Sequence, residues 1–381
     1  MSVANRSERE HYQATISVLT PFHGGKGDLL HRNVDYLIHD GSLQVYRLSR
    51  LEQEFGVETL AGQQAFQLAA LGSGEKLSDL AAYRLAIPSG SQLPSQVREF
   101  LRDPFEQPYL SSGALRSALS DAMRWRQEQP QQDVLPQEGD QAEASTEGKT
   151  GQGALLGKTS AGRTRTQQRS RRGSRLDPLG ALTATDCYPS AGEVETGAGL
   201  LRLLETGTWG QRLVQEQPAR AWLECLPPQT VLTGSMTFDE RHTTARSRRE
   251  PSAHRASVAQ IVGACQARSE QVMNVEHEWW RQQPAAQSVV AVYDALQAHR
   301  AHAARENLST LLWLGWGTRW HDRATETEPG PRPGAPQLKS GPPRAGQIAR
   351  RQVILSGGSR PAGPLGWVRL TLSPRTNRQD E

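Results

Sequence analysis

Three glycine-rich segments of the sequence combine a pliable backbone with charged or aromatic side chains. "FHGGKGD" spans residues 22–28, "GWGTRWHDR" spans 315–323, and "GGSRPAGPLGW" spans 357–367. Glycine lets backbone amides approach a ligand closely, arginine and lysine bind phosphate, and tryptophan rings stack on bases. These residue types are those of a single-stranded RNA-binding site, and each segment lies next to the end of a predicted strand.

A second phosphate site is predicted where Ser111, Ser112 and Arg116 begin a helix, because a helix N-terminus attracts anions. Three simpler interpretations stay open. The serines can act only as helix caps, "FHGGKGD" can be an ordinary turn, and the tryptophans can pack against a sheet. The residues predicted to contact RNA are His23, Gly24, Gly25, Lys26, Ser111, Ser112, Arg116, Gly315, Gly317, Arg319, Trp320, His321, Arg323, Gly357, Gly358 and Arg360.

The other candidate groups do not combine into a catalytic or metal site. His299 and His302 stand three residues apart, but no cysteine or carboxylate cluster accompanies them, which favours a solvated helix face. His321 and Asp322 are adjacent, and adjacent side chains seldom point at one another. The tryptophan pair 279–280 is expected in the core or an interface. The sequence therefore predicts no catalytic residue, no metal and no cofactor.

Two further motifs are excluded by their spacing. Cys187, Cys225 and Cys265 are far apart and form no CxxC pair, which argues against zinc and disulfides and fits a reducing compartment. "GQGALLGKT" resembles a phosphate-binding P-loop but has Gln152 where the first glycine is needed.

The composition bounds the class of protein. The chain has 381 residues, of which only 36% are apolar, and a net charge of +4, which permits a nucleic-acid partner. The N-terminus has no apolar signal segment, and nowhere is there an apolar run of membrane length. We expect a cytoplasmic protein without a membrane partner.

A charge-segregated segment at 126–175 divides the sequence. Residues 127–147 contain six acids and no base, whereas 158–175 contain seven bases and no acid. Neither part can bury a core, so we predict a long disordered connector. The sequence on either side then forms an N-terminal domain at 12–125 and a C-terminal domain at 176–375.

Local patterns predict strands and helices in both halves. The N-terminal half shows a strand at 15–20, a hairpin around Asp40-Gly41, helical structure over 49–103 with breaks at Pro88 and Pro94, and a serine-capped helix at 111–125. The C-terminal half shows strands rich in Thr and Val, a helical insertion at 252–307, and a final strand, loop and strand in "RQVILS", "GGSRPAGP" and "LGWVRLTL". The fold class is α+β, for which the ferredoxin-like unit is a common solution.

An ordered set of segments resembles the RAMP proteins of type III-A CRISPR systems, and within them the subunit that caps the filament of the Csm complex. The segments are "VLTPFHGGKGD", "VDYLIHDGSLQVYRL", "PYLSSGALRSAL", "DPLGALTATD", "ECLPPQTVLTGSMTFDE", "LGWGTRWHD" and "PLGWVRLTL". Two features depart from the family: "PYLSSGALRSAL" lacks the family's Pro-Gly and its lysine, and the charged connector looks like an insertion.

The resemblance implies two ferredoxin-like (RRM-like) RAMP domains with helical insertions and a non-catalytic role. Such a subunit would bind the 3′ region of the guide (CRISPR) RNA, contact the backbone RAMP and small subunits of the Csm complex, and support guide maturation in antiviral defence. Host nucleases are a further class of partner that it allows. Asp28 and Asp35 are taken as non-catalytic.

Two alternatives stay open at this point. One is a metal-independent ribonuclease that processes guide RNA, with His23 or His321 as the general base. The other is a structural adaptor whose glycine loops contact only protein.

Overall fold

The computed structural model describes residues 9–24, 28–56, 68–71, 77–88, 94–129, 179–180, 182–190, 201–209, 219–239, 257–315, 351–356 and 360–375. The strands are β1 (Arg9–Val18), β2 (Leu29–His31), β3 (Tyr36–His39), β4 (Ser42–Val45), β5 (Tyr83–Ala86), β6 (Gln96–Arg98), β7 (Leu182–Ala184), β8 (Tyr188–Pro189), β9 (Arg202–Trp209), β10 (Ala219–Cys225), β11 (Val231–Asp239), β12 (Ser309–Trp313), β13 (Arg351–Ser356), β14 (Arg360–Pro364) and β15 (Trp367–Pro374). The α-helices are α1 (Leu48–Phe55), α2 (Ser112–Glu128), α3 (Val258–Arg281) and α4 (Gln287–Ala303).

The strand β1 lies in the middle of the first sheet, whose order is β12-β15-β1-β11-β7, with β8 also paired to β11. It is antiparallel to β11 on one side and to β15 on the other. Alternate side chains of β1, from Tyr12 to Val18, are buried in the main core, whereas Gln13 on the opposite face is exposed. This period of two is the pattern of a strand with one covered face.

The second sheet has the order β14-β13-β9-β10-β6-β2, and β6 runs parallel to β10. A small third sheet, β3-β4-β5, contains the predicted hairpin. Its turn residues Asp40 and Gly41 have φ of 47° and 70°, as a tight two-residue turn between antiparallel strands requires.

Both large sheets take strands from either side of the connector. β1 pairs with β11 and β15, and β2 and β6 join the sheet of β9, β10, β13 and β14. The predicted boundary between 12–125 and 176–375 therefore separates two stretches of sequence but does not separate two sheets. The α+β class is confirmed, and the ferredoxin-like division of the chain into two domains stays a prediction.

The helices follow their sequence signals closely. The side chain of Ser111 accepts from the Ala114 amide at the start of α2, and Ser257 and Gln260 form a reciprocal capping box at the start of α3. The predicted helical insertion is the pair α3 and α4. Helix α2 ends at Glu128, beyond the predicted domain end at 125, and most of the predicted connector lies outside the described residues.

Two predictions of local structure are wrong. Among the described residues of 49–103, the helical prediction holds for α1, for residues 77–78 and, as a 3-10 turn, for Leu68–Leu71, but β5 and β6 form in the same stretch. These short strands pair with β4 and β10, and such tertiary pairing overrides weak local propensity. The predicted loop "GGSRPAGP" contains β14, an edge strand, where proline costs no ladder hydrogen bond.

A second core lies between the helix pair and the ends of β12, β13 and β15. Its largest side chains are Trp280, Tyr293 and Trp367, each of which is at most 1% exposed. Trp279 and Trp280 meet edge to face at 4.6 Å; Trp280 is buried in this core and Trp279 packs partly buried against it, which agrees with the predicted place in the core or an interface. No helix in the described part of the chain is long and apolar enough to cross a membrane.

The central place of β1 predicts that the C-terminal half cannot fold alone. A fragment of residues 176–381 lacks β1, which is the strand that pairs with both β11 and β15 and whose buried face forms part of the main core. We expect this fragment to lack a cooperative thermal unfolding transition, and a fragment of residues 1–129 added in equal amount to restore it. Circular dichroism during heating measures both. A cooperative transition of 176–381 alone would show instead that it is an independent domain.

Candidate nucleic-acid interface

Three chain segments that are far apart in sequence meet at one point, which we call the glycine junction (residues 21–24, 314–315 and 365–366). The Leu314 amide donates to the Gly366 carbonyl at 2.8 Å, and the Gly366 amide donates to the Pro21 carbonyl at 2.9 Å. Residue 22 also exchanges two backbone hydrogen bonds with Leu226. The junction joins the start of the first two predicted RNA-binding segments to the end of the third.

Glycine is required at the junction by the approach of backbone to backbone. Gly315 has φ of 92°, and a Cβ there would collide with the His23 carbonyl and the Phe22 ring. Gly366 has φ of 85°, and a Cβ there would collide with the Leu314 carbonyl. Gly315 was predicted to make room for RNA. In the structure, it makes room for the first glycine-rich segment.

The His23 side chain faces the interior. It is 2% exposed, and its Nδ1 lies 2.7 Å from the Glu224 carbonyl oxygen, to which it donates. Its ring meets the Phe100 ring edge to face at 5.9 Å. Burial lowers the pKa of His23 to about 4, so the imidazole is neutral near pH 7. His23 therefore cannot contact RNA through its ring, and it cannot reach a substrate as a general base.

A buried polar network lies directly behind His23. The Tyr83 hydroxyl is 2.7 Å from Glu224 Oε1 and 2.9 Å from Glu99 Oε1. One hydroxyl proton cannot serve two carboxylates, so one of these contacts needs a carboxyl proton. Burial raises the pKa of Glu224, which is 0% exposed, and this favours Glu224 as the carrier of that proton.

Two arginines complete the network. Arg102 donates to Glu224 Oε2 at 3.1 Å and lies over the Tyr83 ring at 3.6 Å from its centre. Arg47 binds the carboxylates of Glu99 and Glu106. Sequence reasoning missed this network, because Glu224 lies more than a hundred residues from the other members and no local spacing marks the set. Its effect is to fix the backbone at Glu224, and through it the position of His23.

The predicted phosphate site at the start of α2 is taken by protein groups. The Ser112 amide donates to Asp186 Oδ1 at 2.7 Å, and Arg116 donates to the Leu179 carbonyl at 3.2 Å. Ser111 caps the helix. The capping interpretation therefore describes this helix end, and the Asp186 carboxylate occupies the place that a phosphate would need.

The remaining predicted contacts are distributed as follows. Arg360 is exposed at the start of β14, and the length of that strand separates it from the glycine junction. Residues Gly25, Lys26, Gly317, Arg319, Trp320, His321, Arg323, Gly357 and Gly358 lie outside the described part of the chain. Of the predicted residues, the structure brings together His23, Gly24 and Gly315. His299 and His302 are both exposed on α4, as predicted.

The burial of His23 predicts a specific dependence of stability on pH. The folded-state pKa is lowered to about 4 from 6.5, so between these values the unfolded chain binds the extra proton and the free energy of unfolding falls as pH falls. From near pH 7 to near pH 4.5 this loss is about 2 kcal/mol. His23→Asn keeps a donor for the Glu224 carbonyl but cannot titrate, so it should lack this part of the loss. Urea unfolding at both pH values measures the difference, and equal losses in the two proteins would contradict the assignment.

No protein-family model and no curated protein matches this sequence. Solved structures do match it. The crystal structure of T. onnurineus Csm5 has a TM-score of 0.54 and 17% identity, covering 93% of this chain and 99% of that one. A chain of the cryo-EM structure of the type III-A Csm–crRNA–target RNA ternary complex has a TM-score of 0.57 and 16% identity, covering 94% of this chain and 100% of that one.

These two matches extend over nearly the whole length of each chain, and they agree with the resemblance seen in the ordered sequence motifs. At such identities a structural match establishes the fold and leaves the activity open. The chain therefore has the fold of T. onnurineus Csm5, a fold also present in the type III-A Csm–crRNA–target RNA complex.

Proposed function

We propose that this protein is a non-catalytic RNA-binding subunit of a type III-A Csm effector complex. It binds the 3′ region of the guide RNA, contacts neighbouring RAMP and small subunits, and supports guide maturation. The fold supports this proposal, because a chain of a complex that holds crRNA and target RNA has the same fold. Host nucleases would be transient partners of the same complex.

The observation that carries the RNA-binding part is the convergence of three glycine-rich segments at the glycine junction. Lys26 follows Gly24 by two residues, and Arg319 and Trp320 follow Gly315 within five residues. Since an extended chain spans at most about 3.6 Å per residue, residues this close to the junction in sequence can contact the same short stretch of RNA. Lysine and arginine side chains can bind the phosphates of such a strand, and a tryptophan ring can stack on one of its nucleotides.

The network behind the junction supports binding in a different way. A loop that anchors RNA loses less entropy on binding when its ends are already fixed. The segment after residue 24 begins next to His23, which is fixed by its hydrogen bond to the Glu224 carbonyl. The segment after residue 315 begins at Gly315, which packs closely against the His23 carbonyl.

The main rival from another class is a metal-independent ribonuclease. The burial of His23 excludes one of the two candidate general bases of such a ribonuclease, which leaves His321. The second rival is an adaptor that binds only protein. Purified protein mixed with end-labelled guide RNA in EDTA separates the three. We expect a shifted band without cleavage, whereas cut guide would support the ribonuclease and an unshifted guide would support the adaptor.

The electrostatic part of RNA binding can be measured through salt. If Lys26, Arg319 and Arg323 meet phosphates, changing all three to Ala should lower the slope of log Kd against log salt by about two, at about 0.7 per contact for single strands. The affinity should fall about equally for every guide sequence, because phosphate contacts carry no sequence information.

A matched control removes the same charge elsewhere. Arg124 and Arg126 on α2 and Arg281 at the end of α3 are exposed and belong to none of the three glycine-rich segments. Changing these three to Ala should leave the salt slope within experimental error of the unsubstituted protein. Equal slopes for both triple variants would place the RNA path away from the junction.

A further inference from the structure

A five-residue turn, 103–107, presents Phe105 to solvent. Phe105 is 84% exposed, the highest value among the exposed large hydrophobic side chains of the described residues. The next is Leu48 at 55%, and the others lie near 40%. A scattered exposed leucine or valine is ordinary, whereas a phenylalanine ring exposed to this degree presents a large apolar surface to a partner.

The backbone of this turn is held by hydrogen bonds on every side. The Asp103 carboxylate accepts from the amides of Phe105 and Gln107, each at 2.9 Å. The Asp103 amide donates to the Gln107 carbonyl and the Glu106 amide donates to the Asp103 carbonyl, each at 3.0 Å. These contacts hold the backbone of the turn in one conformation, so the Cα–Cβ bond of Phe105 points away from the protein in a defined direction.

Glu106 adopts a left-handed conformation with φ of 64°, which is unfavourable for a residue other than glycine. Its own contacts hold it there. Arg47 Nε and Nη2 donate to the two carboxylate oxygens at 2.7 Å each, and Arg102 donates to the Glu106 carbonyl at 2.9 Å. Arg102 also binds Glu224, so the turn is attached to the buried network. The strain at Glu106 is thus offset by ion pairs that orient its neighbour, Phe105.

The charges around the turn indicate the chemistry of the partner. Arg47 and Arg102 are committed to Glu99, Glu106 and Glu224, and their side chains are only 28% and 8% exposed. The carboxylate of Asp103 lies in the turn itself. A phosphate here would meet carboxylates, and arginines that are already paired. An apolar pocket would meet Phe105 and the exposed Pro104 beside it in the chain.

We propose that Phe105 is the anchor of a protein–protein contact, in which its ring enters an apolar pocket on a neighbouring subunit of the ribonucleoprotein. Pro104, which is exposed and precedes Phe105 in the chain, borders the contact. This inference rests on the proposed function, since that function supplies the neighbour. A rigid aromatic side chain suits such an anchor because little of its freedom is lost on binding, and aromatic residues dominate the energy of many interfaces.

Photo-crosslinking tests which molecule covers Phe105. The tagged full-length chain carries p-benzoylphenylalanine at position 105, is expressed in its native host, and is purified with its complex before irradiation. We expect a crosslink to a peptide of a co-purifying subunit, identified by mass spectrometry. The matched control carries the same group at Val275, an exposed position on α3 at 40% exposure. A crosslink to RNA alone, or a yield no higher than that of the control, overturns the inference.

A second variant tests the energetic weight of the ring. Phe105→Ala should leave the melting temperature unchanged, because the ring is solvated in the isolated chain. It should reduce about tenfold or more the amount of co-purifying subunit, that subunit being the one identified by the crosslink. Phe105→Leu should restore part of the yield. An unchanged yield for Phe105→Ala overturns the inference. Guide RNA in each preparation reports separately on the proposed function: its absence, with the crosslink to protein intact, would overturn RNA binding but keep the contact.

Discussion

The approach of three backbone segments at the glycine junction is the constraint on which the rest of the site depends. Gly315 and Gly366 both have positive φ, and each faces a carbonyl group so closely that no side chain would fit. The hydrogen bonds among Pro21, Leu314 and Gly366 join the ends of β1, β12 and β15, which are neighbours in the first sheet. The order of the sheet thus brings together segments that are about three hundred residues apart along the chain.

The tight junction leaves His23 in a place without solvent, and this has a chain of consequences. A buried imidazole is favoured in its neutral form, and it donates to the Glu224 carbonyl. The Glu224 side chain then lies among Tyr83, Arg102 and the Phe100 amide, where a buried carboxyl group needs several partners. A residue that looked like a ligand for phosphate in the sequence is instead the first link between a loop and an interior network.

The sequence predicted the elements whose signal is local. The strand predicted at 15–20, the Asp40-Gly41 turn, the Ser111 cap and the helical insertion at 252–307 all depend on residues close in sequence, and all are present. The strand differs in its bounds, since β1 begins at Arg9 and ends at Val18. β5, β6 and β14 were missed because they are short and form through partners elsewhere in the chain. For the site, the sequence identified the glycine-rich segments correctly as special backbone. It could not show that Gly315 faces His23, nor that Asp186 binds the amide of Ser112, because both contacts join distant residues.

The network also changes how the charge of the chain is to be understood. A net charge of +4 suggests affinity for RNA, but an arginine that is already paired in the interior cannot turn to a phosphate without breaking its ion pair. Arg47, Arg102 and Arg351 are of this kind: Arg47 and Arg102 hold the turn at Glu106, and Arg351 binds Glu276 beside the Trp279 ring. Removing one of them would leave a buried carboxylate without its counter-charge, so their first effect is on the fold. If the chain binds guide RNA as proposed, the affinity has to come from lysine and arginine side chains outside these pairs.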